Sequence, residues 1–189
     1  IKAASPFSIK VQLLHGGRQE GVMLVTIDTG AMKITVVPNR GMNVAQAVSG
    51  EVRLGWKSPV REIVNPAFLD QGARNGIGWL EGFNDLLTRC GYEWVGHAGA
   101  DEDGTMLTLH GLAANIPASN VILSVDEKPP YTIRLKGLLR EQAFKKVDFT
   151  IDTELNTVPG AKSFTINDRL TNNGDYPKEY RSEEHTSEL

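Results

Sequence analysis

Apolar and polar residues alternate along much of the chain, which is the pattern of half-buried β-strands. Residues 21–41 contain two such stretches around Thr29 and Gly30, which predicts a β-hairpin. Residues 41–56 predict two shorter strands joined around Ser49 and Gly50. Successive strands joined by short turns favour an all-β fold, in which antiparallel sheets stack as a large β-sandwich.

The alternation is clearest in the second half of the chain. Residues 120–127 and 131–141 predict two strands joined by a Lys-Pro-Pro turn, and residues 147–155 and 163–174 predict two more. Residues that recur at every second position of a strand lie on one face of the sheet. The apolar residues expected on the core-facing sides are Ile133, Leu135, Leu139, Phe149, Ile151, Leu155, Phe164, Ile166 and, less regularly, Leu170.

Two segments between these halves differ in pattern. Residues 57–82 lose the alternation and hold prolines and several glycines, which predicts a long loop with at most one helical turn. Long ordered loops in compact domains often carry function. Residues 106–112 alternate again, which predicts a strand in which His110 faces away from Leu107 and Leu109.

Composition narrows the class of protein. The 189 residues are 40% hydrophobic and 23% charged, as expected for one soluble globular domain. The formal net charge is −3 and no basic run is present, so neither a nucleic-acid partner nor a membrane span is expected. The single cysteine, Cys90, excludes an internal disulfide and a cysteine-built metal site, and it fits a cytoplasmic location.

His110 is the first candidate for chemistry. One interpretation is a surface or hydrogen-bonded structural histidine. The other is a proton donor or hydrogen-bond donor in a pocket, since imidazole titrates near neutral pH. His15, His97 and His110 have no short ligand spacing, so no metal site is predicted. Cys90, beside an apolar run, is interpreted as a buried small hydrophobe rather than a nucleophile.

The irregular middle also holds residues that suit a carbohydrate. Aromatic planes stack on the C–H faces of sugar rings, while arginine, asparagine and histidine side chains bond sugar hydroxyls. The alternative is that the tryptophans are large core residues and the arginines are surface charges. The candidate sugar-binding residues are Arg40, Trp79, Arg89, His97 and Asn115.

Three blocks, residues 18–59, 78–91 and 107–118, resemble the galactose-mutarotase-like superfamily, and in particular its bacterial aldose 1-epimerase-like branch. Within them HGLAANIP, residues 110–117, is similar to the HGFARN-x-PW block of sugar mutarotases. The resemblance covers residues 10–180. It implies a large antiparallel β-sandwich with a sugar cleft across one concave sheet.

The resemblance also implies a small-molecule sugar as partner and no cofactor. The implied reaction interconverts the α and β anomers of an aldose by acid–base ring opening. His110 would bind or polarise the oxygens of the sugar, and we take it as the candidate catalytic residue. Family members often carry a basic residue that touches the substrate where Leu112 and Ala114 stand here, which disfavours a sugar phosphate as the ligand.

Two alternatives to a mutarotase stay open. One is a non-catalytic sandwich that binds or senses a carbohydrate, because a fold does not fix a function. The other is a different sugar isomerase or lyase on the same scaffold, which would act at a carbon other than C1.

The segment RSEEHTSEL, residues 181–189, breaks the hydrophobic pattern. It matches the in-frame translation of a common short-read sequencing adapter. We therefore expect residues 1–180 to form a partial mutarotase-like sandwich, incomplete at its C-terminal end, and residues 181–189 not to be native. The resemblance places the acid histidine just past Tyr180 and the base glutamate later, so a chain without them is expected to be inactive.

Overall fold

The computed structural model describes Ala3 and residues 5–186, with side chains up to Glu183. Within these residues the strands are β1 (Ser8–Leu13), β2 (Met23–Asp28), β3 (Lys33–Val37), β4 (Asn43–Ser49), β5 (Val52–Leu54), β6 (Leu87–Tyr92), β7 (Gly99–Ala100), β8 (Met106–Leu107), β9 (Ser119–Val125), β10 (Ile133–Ala143), β11 (Val147–Thr157), β12 (Thr165–Asn172) and β13 (Arg181–Thr186). The helical elements are single turns, at Gly17–Gln19, Pro66–Phe68, Ala73–Gly76, Gly78–Glu81 and Ala113–Asn115. No helix in the described part of the chain is long and apolar enough to span a membrane.

Two antiparallel sheets form the body of the molecule. The first has the order β1-β2-β3-β4-β6-β13, with β5 paired to β4, and the second has the order β12-β11-β10-β9. β7 and β8 form a separate short pair. The predicted all-β antiparallel sandwich is therefore confirmed.

The core lies between the two sheets and contains the predicted strand faces. Ile27, Ile34 and Val36 of the first sheet share one buried cluster with residues of the second sheet. The predicted residues buried in that cluster are Ile133, Leu135, Leu139, Phe149, Ile151 and Leu155, and Phe164, Ile166 and Leu170 pack against it. Each fully buried side chain of this size stabilises the fold by about 1.5–3 kcal/mol.

The two predicted tight connections in the first half are confirmed. In the β2–β3 hairpin, Gly30 takes a φ of 88°, and the Thr29 N–H donates to the Met32 carbonyl at 2.9 Å. A φ in this region favours glycine, which explains the residue at the turn. Between β4 and β5, Ser49 pairs with Val52 across a turn.

Residues 57–82 are more ordered than predicted. They contain three helical turns, where at most one was expected. The first follows Asn65, whose side chain accepts the Ala67 N–H at 3.0 Å, and Pro66 stands at its first position. Asparagine at an N-cap followed by proline is a helix-start signal that favours such a turn locally.

Glu141 of β10 connects the second sheet to the end of β6. It is only 3% exposed, and its carboxylate accepts the backbone N–H groups of Tyr92 at 2.7 Å and Glu93 at 3.2 Å. Burial raises the pKa of the Glu141 carboxyl, against these two hydrogen bonds, which favour its charged form.

We expect Glu141→Gln to change the pH dependence of stability. The folded protein holds the Glu141 proton to a higher pH than the unfolded chain does. The contribution of the wild-type carboxyl to stability therefore falls as pH rises above its ordinary pKa of 4.5. The glutamine keeps an acceptor oxygen and does not titrate. Urea unfolding between pH 4.5 and about pH 8 should show the wild type losing stability relative to the variant.

The matched control is Glu51→Gln, because Glu51 is an exposed residue of the β4–β5 turn. This control should parallel the wild type over the whole pH range. Parallel curves for the wild type and Glu141→Gln would contradict the expected role of burial.

Candidate functional site

A row of aromatic rings leads to His110. The Trp56 and Phe83 ring centroids lie 5.0 Å apart, and Phe83 stacks on Trp79 at 4.7 Å. The Trp79 ring meets the imidazole of His110 edge-on, with 4.8 Å between centroids. Trp79 is buried together with Cys90, Leu109 and Ala114. The structure therefore brings together two predicted site residues, Trp79 and His110.

His110 lies in a turn, not in a strand. β8 ends at Leu107, and His110 has a φ of 59°, followed by Gly111 at 74°. The prediction of a strand through residue 112 with His110 on one face is therefore wrong. Two successive left-handed residues reverse the chain direction, which ends the strict alternation of a strand. The His110 N–H donates to the Gly96 carbonyl at 2.8 Å, which fixes the turn.

Gly111 is required by its surroundings. A Cβ built on it would lie 2.2 Å from the Trp94 carbonyl oxygen and 2.6 Å from that of Gly91. The Gly91 N–H donates to the His110 carbonyl at 3.0 Å, so the turn packs directly on the end of β6. Only glycine combines this close approach with a positive φ. The imidazole is thus held by backbone contacts rather than by a flexible loop.

The His110 side chain is 17% exposed, so one part of the ring is accessible. Its Nδ1 lies 2.8 Å from Glu183 Oε1, and the donor atoms of Cys90, His110 and Glu183 lie within 4.8 Å of one another. Sulfur, nitrogen and carboxylate oxygen form a donor set that zinc accepts. Glu183 lies on β13, which pairs with β6.

Arg40 lies in a buried polar cluster. Its side chain is 1% exposed, and Nη2 lies 3.3 Å from Oδ2 of the fully buried Asp85. Nη1 donates to Asn84 Oδ1 at 3.1 Å, and Asn43 Nδ2 donates to Asp85 Oδ2 at 2.9 Å. Burial raises the pKa of Asp85, against the attraction of Arg40 and the Asn43 hydrogen bond. Arg40 is thus engaged with protein groups, and its sugar contact stays a prediction.

Arg89 points to the other side of β6. Its guanidinium donates to Asp168 of β12 and, at 2.7 Å, to Thr153 Oγ1 of β11, both in the second sheet. Its neighbour Cys90 lies on the Trp79 side of the strand and is 1% exposed, which confirms the expected burial of the cysteine. Because successive side chains of a strand face opposite ways, Arg89 is separated from His110.

The last two predicted residues differ in exposure. His97 is exposed in the turn before β7. Asn115 is 8% exposed in the turn after His110, and its Nδ2 donates to Gln71 Oε1 at 3.3 Å. Asn115 thus joins the His110 segment to the loop that carries Trp79. No side-chain hydrogen bond among the described residues ties His97 to this group.

Sequence reasoning missed Asp85, Asn43 and Phe83. Asp85 and Asn43 stand beside strands in ordinary polar positions, and only three-dimensional packing shows that both are fully buried. Phe83 connects two of the three tryptophans. Its position four residues after Trp79 in a segment of helical turns is a signal that could have paired the two rings.

A family described as a domain of unknown function (DUF4432) matches residues 19–187, and the chain belongs to this family. It is also similar to a crystal structure described as a "putative aldose 1-epimerase from Klebsiella pneumoniae subsp. pneumoniae MGH 78578". The two are 49% identical with a TM-score of 0.92, over 95% of this chain and 47% of that one. The chain thus spans about half the length of that protein. No curated protein matches it.

We expect Arg40→Met to destabilise the protein by about 3–5 kcal/mol, because it leaves the buried Asp85 carboxylate without its counter-charge. Urea unfolding measures the loss. Replacing both partners, Arg40→Met with Asp85→Leu, should recover much of it, since no uncompensated charge remains.

Arg169→Met is the matched control, because Arg169 pairs with Asp152 while its side chain is 79% exposed. Its loss should stay below about 1 kcal/mol. An equally small loss for Arg40→Met would show that the buried pair does not hold this region.

Proposed function

We propose that this chain is the sugar-binding part of an aldose 1-epimerase-like protein, and that the whole protein interconverts the α and β anomers of an aldose. The observation that carries the proposal is the position of His110. A backbone-fixed turn holds its partly exposed imidazole against the edge of the Trp79 ring. The likeness to the Klebsiella protein, which is described as a "putative aldose 1-epimerase", supports a sugar as ligand.

The chemistry of anomer exchange needs two proton transfers. A base removes the proton of the anomeric hydroxyl while an acid protonates the ring oxygen, and the C1–O bond of the ring breaks. The open-chain aldehyde rotates about C1–C2 and closes again on its other face, which returns both protons. Imidazole has an N–H donor in its neutral and its charged form, so His110 can polarise a sugar oxygen in either state.

His110 is proposed here as the group that binds and polarises the sugar, while the buried Trp79 ring packs against the imidazole and holds its orientation. Asn115 supports this arrangement, because its contact with Gln71 ties the segment after His110 to the loop that carries Trp79. The acid and base of the whole protein are assigned to its part beyond residue 180.

We expect His110→Ala to weaken aldose binding about tenfold, which corresponds to a loss of about 1.4 kcal/mol. The measurement is isothermal titration calorimetry of the chain with a panel of aldoses. His15→Ala is the matched control, since the His15 side chain is 71% exposed and pairs with Glu20 on the surface. Circular dichroism checks that both variants fold.

Equal affinity of the wild type and His110→Ala for every aldose would contradict the placement of the sugar at His110. The reaction is tested separately, by NMR exchange between anomers, on a protein that spans the whole length of the Klebsiella relative. Exchange at the rate of buffer alone, with binding retained, would assign the protein to the non-catalytic sugar-binding class.

A further inference from the structure

A pocket lies beside the first sheet, at the far end of the aromatic row from His110. Its volume is about 250 Å³. Its walls combine apolar side chains, a tryptophan and three cations, and they are formed by Leu24, Thr35, Ala45, Gln46, Arg53, Trp56, Lys57, Ser58, Val60, Arg61, Ile63 and Asn84. The three cations are Arg53, Lys57 and Arg61, and the lining contains no aspartate or glutamate.

Within the described part of the chain, the three cations form no salt bridge. Among the described residues, no carboxylate lies within 4.0 Å of the charged groups of Arg53, Lys57 or Arg61. Like charges around one concavity repel each other and focus a positive potential into it. A bound anion relieves that repulsion.

The segment that carries Lys57 and Arg61 is anchored to the protein. Ser58 Oγ donates to the Phe83 carbonyl at 2.7 Å, and the Val60 N–H donates back to Ser58 Oγ at 3.0 Å. Asn84 Nδ2 donates to the carbonyls of Val60 at 3.2 Å and Glu62 at 2.8 Å. Because the backbone is fixed at these points, Lys57 and Arg61 project from defined positions beside the pocket.

Arg53 is oriented from the opposite wall. It lies on β5, and its Nε donates to Gln46 Oε1 of β4 at 3.0 Å. This hydrogen bond fixes the plane of the guanidinium and leaves its two terminal nitrogens for a ligand. A planar guanidinium presents parallel N–H groups that match two oxygens of a phosphate or sulfate.

We propose that this pocket binds the phosphate or sulfate group of a small organic molecule. Three positive charges favour a tetrahedral oxyanion with more than one negative charge over a single carboxylate. The apolar walls, including Trp56, take the organic part of the ligand. The site does not depend on the proposed function of His110, from which three ring-to-ring contacts separate it.

The experiment uses the full chain with inorganic phosphate, and then with glucose 6-phosphate against glucose, by calorimetry. The wild type should bind phosphate and prefer glucose 6-phosphate to glucose by about tenfold or more, and added sodium chloride should weaken both anions. Lys57→Gln with Arg61→Gln should weaken phosphate binding at least about tenfold. Both residues are exposed, so the variant keeps the fold.

The matched control is Lys10→Gln with Lys128→Gln, which removes two exposed positive charges elsewhere on the surface. Unchanged phosphate affinity in this control supports the pocket, whereas an equal loss in both double variants would overturn it in favour of general attraction to positive charge. Absence of phosphate binding by the wild type would also overturn it. His110→Ala should leave phosphate affinity unchanged, which keeps a failure of this site distinct from a failure of the sugar site.

Discussion

The buried ion pair of Arg40 and Asp85 is the interaction on which the arrangement of the site depends. Moving two charges out of water costs several kcal/mol each, so the pair depends on hydrogen bonds from neighbouring groups. Asn84 accepts from Arg40, and Asn43 donates to Asp85. The side-chain oxygen of Asn43, Oδ1, accepts the Arg89 backbone N–H at 3.0 Å. The end of β3, the start of β4 and β6 are thereby joined at one point.

The side chains on the two sides of β6 make different contacts. Toward the second sheet it presents Arg89, which bonds β11 and β12 and contributes to the joining of the layers. On the other side Cys90 packs with Trp79, and the His110 turn rests on Gly91. β6 therefore connects the His110 turn to the core of the sandwich, and these contacts hold the imidazole in a defined position. Site residues carried on rigid elements keep their geometry better than those on mobile loops.

The parts of the fold that could be predicted are those that regular periodicity governs. β10 and β11 each bury every second residue over most of their length, so Leu135 and Ile151 were assigned correctly from spacing alone. The hairpin at Gly30 also followed from local turn chemistry. The surroundings of Arg40 and Arg89 could not be predicted in this way, because arginine is most often exposed and nothing local indicates a distant carboxylate. The position of His110 was predicted wrongly for a related reason. The alternation of the sequence continues through this segment, but contacts with Gly91 and Gly96 impose a turn there.

The contacts of Gly111 have a consequence for how related sequences can vary. A side chain at that position would collide with two backbone carbonyls, which cannot move aside without shifting β6 itself. His110 has more freedom, since asparagine and aspartate also adopt left-handed backbone angles at small cost. Selection can therefore replace the residue at position 110, and with it the chemistry of the side chain, while the glycine after it stays fixed. In this family the glycine should mark the location of the turn even in members that have another residue in place of the histidine.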